Sequence, residues 1–186
     1  MTRSDPFPTR IPLAEALDIV QAVAASRRLP PEYVATSRAD GRVLAGDVAA
    51  PIALPGFDNS AMDGFALRHA DLSQDGPTRL RLAGEQFAGA DLGLRLHPGE
   101  CVRITTGAPL PLGADTVLMK EDAGEADGWV SAPPGLHAGA NVRRRAGDVA
   151  EGDLAMRRGS VLTPARIGLA ASLGIDRLPV SARPTV

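Results

Sequence analysis

Three short segments hold the side chains best suited to chemistry. The first runs Pro55-Gly56-Phe57-Asp58-Asn59-Ser60-Ala61-Met62-Asp63-Gly64-Phe65. It opens on a Pro-Gly turn and packs small polar and acidic groups into a few positions. Two carboxylates in one loop can hold a hard divalent cation through oxygen. The same residues also suit an Asx-turn and a cap, with Asp and Asn bonding to the local backbone. Both readings stand on spacing alone. Gly64 after Asp63 can take a positive φ and admit a close approach to the backbone. The second segment, Val102-Arg103-Ile104-Thr105-Thr106-Gly107-Ala108-Pro109, is a strand running into two hydroxyls and a glycine. Hydroxyls and free N–H groups at such a turn suit an oxyanion, although strand-Thr-Gly turns are common. The third is Asn141-Val142-Arg143-Arg144-Arg145-Ala146-Gly147-Asp148. Consecutive arginines cannot all face one way on a strand. They serve either an anion or a charged edge exposed to solvent. Asp148 is either a turn residue or a second carboxylate aimed where Asp63 points.

Other chemistries are absent. His69, His97 and His137 lack metal-ligand spacing, and no Gly-x-Ser-x-Gly elbow, P-loop or Gly-x-Gly-x-x-Gly turn occurs. The single cysteine, Cys101, excludes an intrachain disulfide and any zinc site needing several cysteines. It reads as a small buried hydrophobe. A net charge of -2 and 3% aromatic residues argue against a nucleic-acid or anionic-membrane surface.

These segments need elements to position them. Leu13, Ala16, Leu17, Val20, Val23 and Ala24 form one helical apolar stripe, with Pro12 at its start and Leu29-Pro30-Pro31 ending it. From about 50 to 147, short apolar runs recur at Phe65–Leu67, Leu80–Leu82, Cys101–Ile104, Thr116–Met119 and Trp129–Ser131. Turn signals such as His97-Pro98-Gly99 and Asp127-Gly128 separate them, which predicts a small β-rich module. Thr163-Pro164 then caps a short helix, Ala165 to Leu173, stopped by Gly174. The tail around Leu178-Pro179-Val180 reads as the approach to a further element. One echo is visible: His97-x-Gly99-x-x-Val102-Arg103 recurs forty residues later as His137-x-Gly139-x-x-Val142-Arg143, with Gly107 and Gly147 at matching offsets. Chance repetition of turn-then-strand chemistry and two related units both explain it. The N-terminus lacks the apolar run of roughly 7–15 residues of a signal peptide. No stretch approaches the roughly 18 residues of a membrane span, so a cytoplasmic location is the default expectation.

Taken together, the motifs resemble the molybdopterin molybdenumtransferase family, which includes the E domain of gephyrin. The matching residues are Asp40 to Val48, Leu54 to Ala66 with its Asp-Asn-Ser-Ala-Met-Asp-Gly core, Phe87-Ala88-Gly89, Arg103 to Pro109, Arg143 to Asp148 and Ala171 to Ile175. They hold order and spacing from about Leu13 to Val180. The resemblance implies insertion of molybdate into adenylylated molybdopterin with release of AMP, assisted by magnesium. It also implies a molybdopterin adenylyltransferase as upstream donor.

The implied fold is α+β, mostly β. A discontinuous dimerisation domain, 1–49 plus 147–186, carries an inserted β-rich domain, 50–146. The active unit is a homodimer. The pterin nucleotide is held mainly by a third, α/β domain. This chain stops where that domain would begin, so the remainder is expected from a longer product or a separate chain. Inactivity alone is expected, and a non-catalytic dimerisation or interaction module of the same family is the alternative. Carried over residue by residue, Asp63, Asp148 and Thr106 are the catalytic candidates, with Asp63 and Asp148 touching a substrate-bound cation. Asn59, Ser60 and Arg144 are the substrate-binding candidates. Asp58, Asn59 and Ser60 also shape the loop.

Overall fold

The computed structural model describes residues 10–26 and 29–184. In chain order the elements are α1 (Leu13–Ser26), β1 (Pro31–Ala35), β2 (Val48–Ala49), β3 (Asn59–Ser60), β4 (Gly64–Leu67), β5 (Thr78–Gln86), β6 (Glu100–Ile104), β7 (Thr116–Met119), β8 (Gly124–Ala126), β9 (Trp129–Ala132), β10 (Val142–Arg143), β11 (Leu154–Met156), α2 (Pro164–Ser172) and β12 (Arg177–Ser181). Strands dominate and helices are few, as the Gly- and Pro-rich sequence predicts.

The chain forms two compact units. One comprises the described residues up to Val48 and those from Met156 onward, and the other is Ala49–Ala155. The return crossing therefore lies later than the boundary at 147 expected from sequence. The reason is local: the Asp148 and Val149 N–H groups both donate to Leu54 O, at 2.9 and 3.1 Å, which keeps this segment with the inserted unit.

The inserted unit is built on a six-stranded sheet of order β7-β4-β6-β5-β9-β8. Strand β4 is buried along its whole length. Because side chains alternate across a strand, Phe65 and Leu67 enter one cluster with Leu80, Cys101, Leu118 and Val130, while Ala66 enters a second with Ile104, Ala108 and Val117. Burial on both faces explains why this strand reads as a continuous apolar run. Asp127 and Gly128 both have positive φ, 51° and 77°, which suits the tight β8–β9 hairpin.

In the discontinuous unit, β1 pairs antiparallel with β12, so Leu178-Pro179-Val180 is a strand in its own right. Leu178 and Val180 pack with Leu44, Met156, Leu162 and Ala170. The sequence alone did not indicate this strand. Thr163 caps α2 by accepting from the Arg166 N–H at 3.4 Å, and Gly174 takes φ 71°. Helix α1 forms where expected, yet none of its residues is buried. Leu13 is 75% exposed and Val20 64%, so its apolar stripe faces no core among the described residues. Among the described residues, no helix is long and apolar enough to cross a membrane.

The echoed segments share a turn. Glu100 N–H donates to His97 O at 3.2 Å and Ala140 N–H to His137 O at 3.1 Å, and Gly99 and Gly139 take φ 76° and 78°. Each leads into an antiparallel strand, β6 on β4 and β10 on β3. The likeness ends at the second glycine: Gly107 has φ 81°, whereas near Gly147 the positive φ of 63° falls on Ala146.

Candidate active site

The three sequence segments become neighbours within the inserted unit, with β3 between the other two. On one flank, Ser60 N–H donates to Ala108 O at 3.0 Å and Gly107 N–H to Ser60 O at 2.8 Å. On the other, Val142 pairs with Ser60 and Arg143 with Asn59. Further donations, from Ala146 N–H to Pro55 O at 3.0 Å and from Leu110 N–H to Asp58 O at 3.0 Å, tie the loop down at its start.

Asp63 sits where this loop enters β4. Its Oδ1 accepts from the Thr106 N–H at 2.7 Å and from the Thr106 hydroxyl at 2.9 Å. No donor to Oδ2 is found among the described residues. The Thr106 N–H and hydroxyl, with a smaller contribution from the Lys120 charge, hold the Asp63 carboxyl below the usual aspartate range. The group is therefore an exposed, oriented anion with one oxygen available. Thr106 has a different part from the one its sequence position suggested. Its hydroxyl and N–H are committed to Asp63, so they do not offer a cradle for an oxyanion.

Gly64 also departs from expectation, since it lies in extended β4 without a positive φ. A Cβ there would stand 1.9 Å from Leu118 O, so the close approach is that of the neighbouring strand β7.

Asp148 occupies the opposite flank of β3. Its Oδ2 accepts from Arg143 Nη2 at 2.7 Å, and both side chains are exposed. The hydrogen bonds of Asp63 and Asp148 form separate networks. No group of three or more His, Cys, Asp or Glu side chains among the described residues is placed to hold a metal ion. A cation here would take one oxygen from Asp63 and the rest from its ligand or water, a mode magnesium accepts.

The remaining candidates organise the loop. Asn59 is 5% exposed and its amide donates to Phe57 O at 3.2 Å. Ser60 is fully buried and its hydroxyl donates to Met62 O at 2.5 Å. Both side chains are turned into the loop, which fits the loop-shaping role expected of them. Arg144 Nη1 donates to Asp58 Oδ2 at 2.7 Å, and the Arg145 N–H donates to Asp58 Oδ1 at 2.7 Å. The Arg145 N–H, then the Arg144 guanidinium, draws the Asp58 carboxyl below its ordinary range. The Arg144 charge is thus paired within the loop.

Two cations near Asp63 were not singled out by spacing. Lys120 follows β7, and its N–H donates to Asp63 O at 3.0 Å. With Arg103 it lines a cavity of about 100 Å³ whose wall includes Asp63, Gly64 and Thr105. Arg103 is held by Glu85 at 3.1 Å and by Glu125, with its guanidinium 5.3 Å from the Phe65 ring centroid. Arg103 belongs to the second segment, but no motif links Lys120 to it or to Asp63, since β4, β6 and β7 meet only in the sheet.

Residues 11–174 match the family described as the MoeA N-terminal region, domains I and II. The chain belongs to this family. Molybdopterin molybdenumtransferase 2 of Mycobacterium tuberculosis is 42% identical over 170 residues, covering 86% of this chain and 40% of that protein. The molybdopterin molybdenumtransferase of Synechococcus elongatus is 38% identical over 169 residues, covering 89% of this chain and 42% of that protein. A crystal structure of the molybdopterin biosynthesis moeA protein from Pyrococcus horikoshii OT3 superposes with a TM-score of 0.85 at 28% identity, covering 94% of this chain and 46% of that one. The MoeA-family chain thus spans less than half the length of these relatives, and its described elements carry the MoeA fold.

Proposed function

We propose that this chain provides the N-terminal part of a molybdopterin molybdenumtransferase, inserting molybdate into adenylylated molybdopterin with release of AMP. The carrying observation is Asp63: an ionised, exposed carboxylate oriented by two bonds from Thr106, in a family whose relatives bear that enzyme's name. The substrates are anions, so a bare carboxylate meets them productively only through a cation. Asp63 Oδ2 is the oxygen this chain offers to magnesium. When bound, the cation neutralises charge on the phosphoanhydride. Asp63 orients it, Thr106 fixes Asp63, and Lys120 lies where a phosphate or molybdate oxygen can be met. Asp148 acts from the Arg143 pair on the other flank. The pterin nucleotide is held by a further α/β domain, from the rest of a longer product or a second chain. The substrate comes from a molybdopterin adenylyltransferase, in the cytoplasm.

The exposed stripe of α1 supports a homodimer, because exposed contiguous apolar surface marks association. The same stripe suits the second reading, a non-catalytic dimerisation or interaction module. The two readings part in one assay. The chain alone releases no AMP from adenylylated molybdopterin on either reading. Joined to the C-terminal portion of a relative, it regains molybdate-dependent AMP release only as an enzyme part, and Asp63→Ala then lowers the rate by about 100-fold. Full activity of Asp63→Ala would remove the site assignment, and no recovery on joining would leave the interaction module.

A further inference from the structure

A second charged feature lies in the discontinuous unit. The register of β1 on β12 places Ala35 opposite Arg177 and Tyr33 opposite Pro179, so these side chains share the exposed face of the ribbon while Leu178 and Val180 enter the core. Arg38 follows β1 in a 3-10 turn and Arg183 follows β12. With Arg42 they line one groove of about 490 Å³, along with Tyr33, Val34 and Ala35. Among the described residues, no carboxylate lines it. Glu32 pairs with Arg42, and no carboxylate partner for Arg38, Arg177 or Arg183 is found among the described residues. In a chain of net charge -2 this is a marked local excess of positive charge.

Two of the four guanidiniums are held in place. Arg177 Nη2 donates to Tyr33 O at 2.8 Å, and Arg42 Nη2 donates to Ser181 O at 2.6 Å. A guanidinium has five N–H donors, so each keeps others for a ligand, and holding it beforehand reduces the entropy lost on binding. Planar forks suit phosphate oxygens. The groove volume is within the range of small-molecule sites of roughly 300–1,000 Å³, and far exceeds what inorganic phosphate needs. Tyr33, 63% exposed, offers a flat apolar surface beside the charges.

The geometry points to a binding site for a small organic phosphate, one bearing phosphoryl groups on a planar or apolar body, lined by Arg38, Arg42, Arg177 and Arg183. This site is separate in residues and unit from the Asp63 loop and does not depend on the proposed enzymatic reading. The test is calorimetric titration of the chain, at fixed ionic strength, with ADP, pyrophosphate, inorganic phosphate and a poly-glutamate peptide as probes. ADP binds most tightly, pyrophosphate next and phosphate least. The Arg38→Ala/Arg177→Ala double variant weakens ADP at least about tenfold. An Arg95→Ala/Arg157→Ala control, which removes the same charge elsewhere, leaves it within about twofold. Circular dichroism confirms that both variants fold. Absence of ADP binding, equal loss in the control, or preference for the acidic peptide over every phosphate would each overturn the assignment.

Discussion

Thr106 donates both its N–H, at 2.7 Å, and its hydroxyl, at 2.9 Å, to the same oxygen of Asp63. Two donors on Oδ1 fix the carboxylate plane and favour the charged form. Because Asp63's folded pKa is depressed, its bonds add stability that is fully present above the unfolded value and lost as pH falls through the folded one. Thr106→Val removes the hydroxyl and keeps the N–H. The Asp63 pKa then rises part of the way toward the ordinary aspartate value, as read by carboxyl-carbon NMR titration. An unchanged titration would show that the hydroxyl does not contribute.

Gly64→Ala places a Cβ 1.9 Å from Leu118 O in the neighbouring strand. Backbone cannot yield as a flexible side chain does, so the β4–β7 pair must open. A loss of about 3 kcal/mol is expected in urea unfolding. Gly76→Ala, with nothing within 4 Å of the added atom, changes stability by less than about 0.5 kcal/mol.

Asp58 joins two segments 86 residues apart through Arg144 Nη1 and the Arg145 N–H. Asp58→Ala leaves that N–H without its partner and costs about 1 kcal/mol, since the pair is partly exposed to solvent. Hydrogen exchange at the Arg145 amide accelerates by about tenfold, while β6 and β7 in the sheet keep their protection. Equal acceleration throughout the unit would mean general destabilisation instead.

Cys101 is fully buried, and burial pushes its thiol pKa up to about 12. Thiolate, not thiol, attacks disulfide reagents. The native chain is therefore inert to such a reagent at pH 8 over minutes and reacts once per chain on unfolding in guanidinium. Fast native labelling would contradict the packing around β6.

Much of the architecture was legible because local physics writes it locally. The stripe from Leu13 to Ala24 predicts α1, Thr163-Pro164 and Gly174 bracket α2, and Asp127-Gly128 marks a hairpin. The run Thr116–Met119 coincides with β7. The strand at Leu178-Pro179-Val180 was not legible because its partners, β1 and the Val43–Ala45 segment, lie well over a hundred residues earlier, and register with a distant segment leaves no local trace. Helix α1 shows the converse limit: periodicity identifies an apolar face and not what covers it.

In the site, the sequence by itself determined which family the chain resembles, because the order and spacing of the segments holding Asp63, Thr106 and the Arg143–Asp148 run match it. It also determined that a carboxylate-bearing loop precedes a buried strand. Tertiary structure alone decided the partnerships. It committed Thr106 to Asp63, Arg144 to Asp58 and Arg143 to Asp148, buried Asn59 and Ser60, and set Lys120 beside Asp63. Hydrogen bonding is directional and short-ranged. Which of several nearby donors a carboxylate takes depends on strand register across β3, β10 and the Thr106 turn, and spacing along the chain does not encode it.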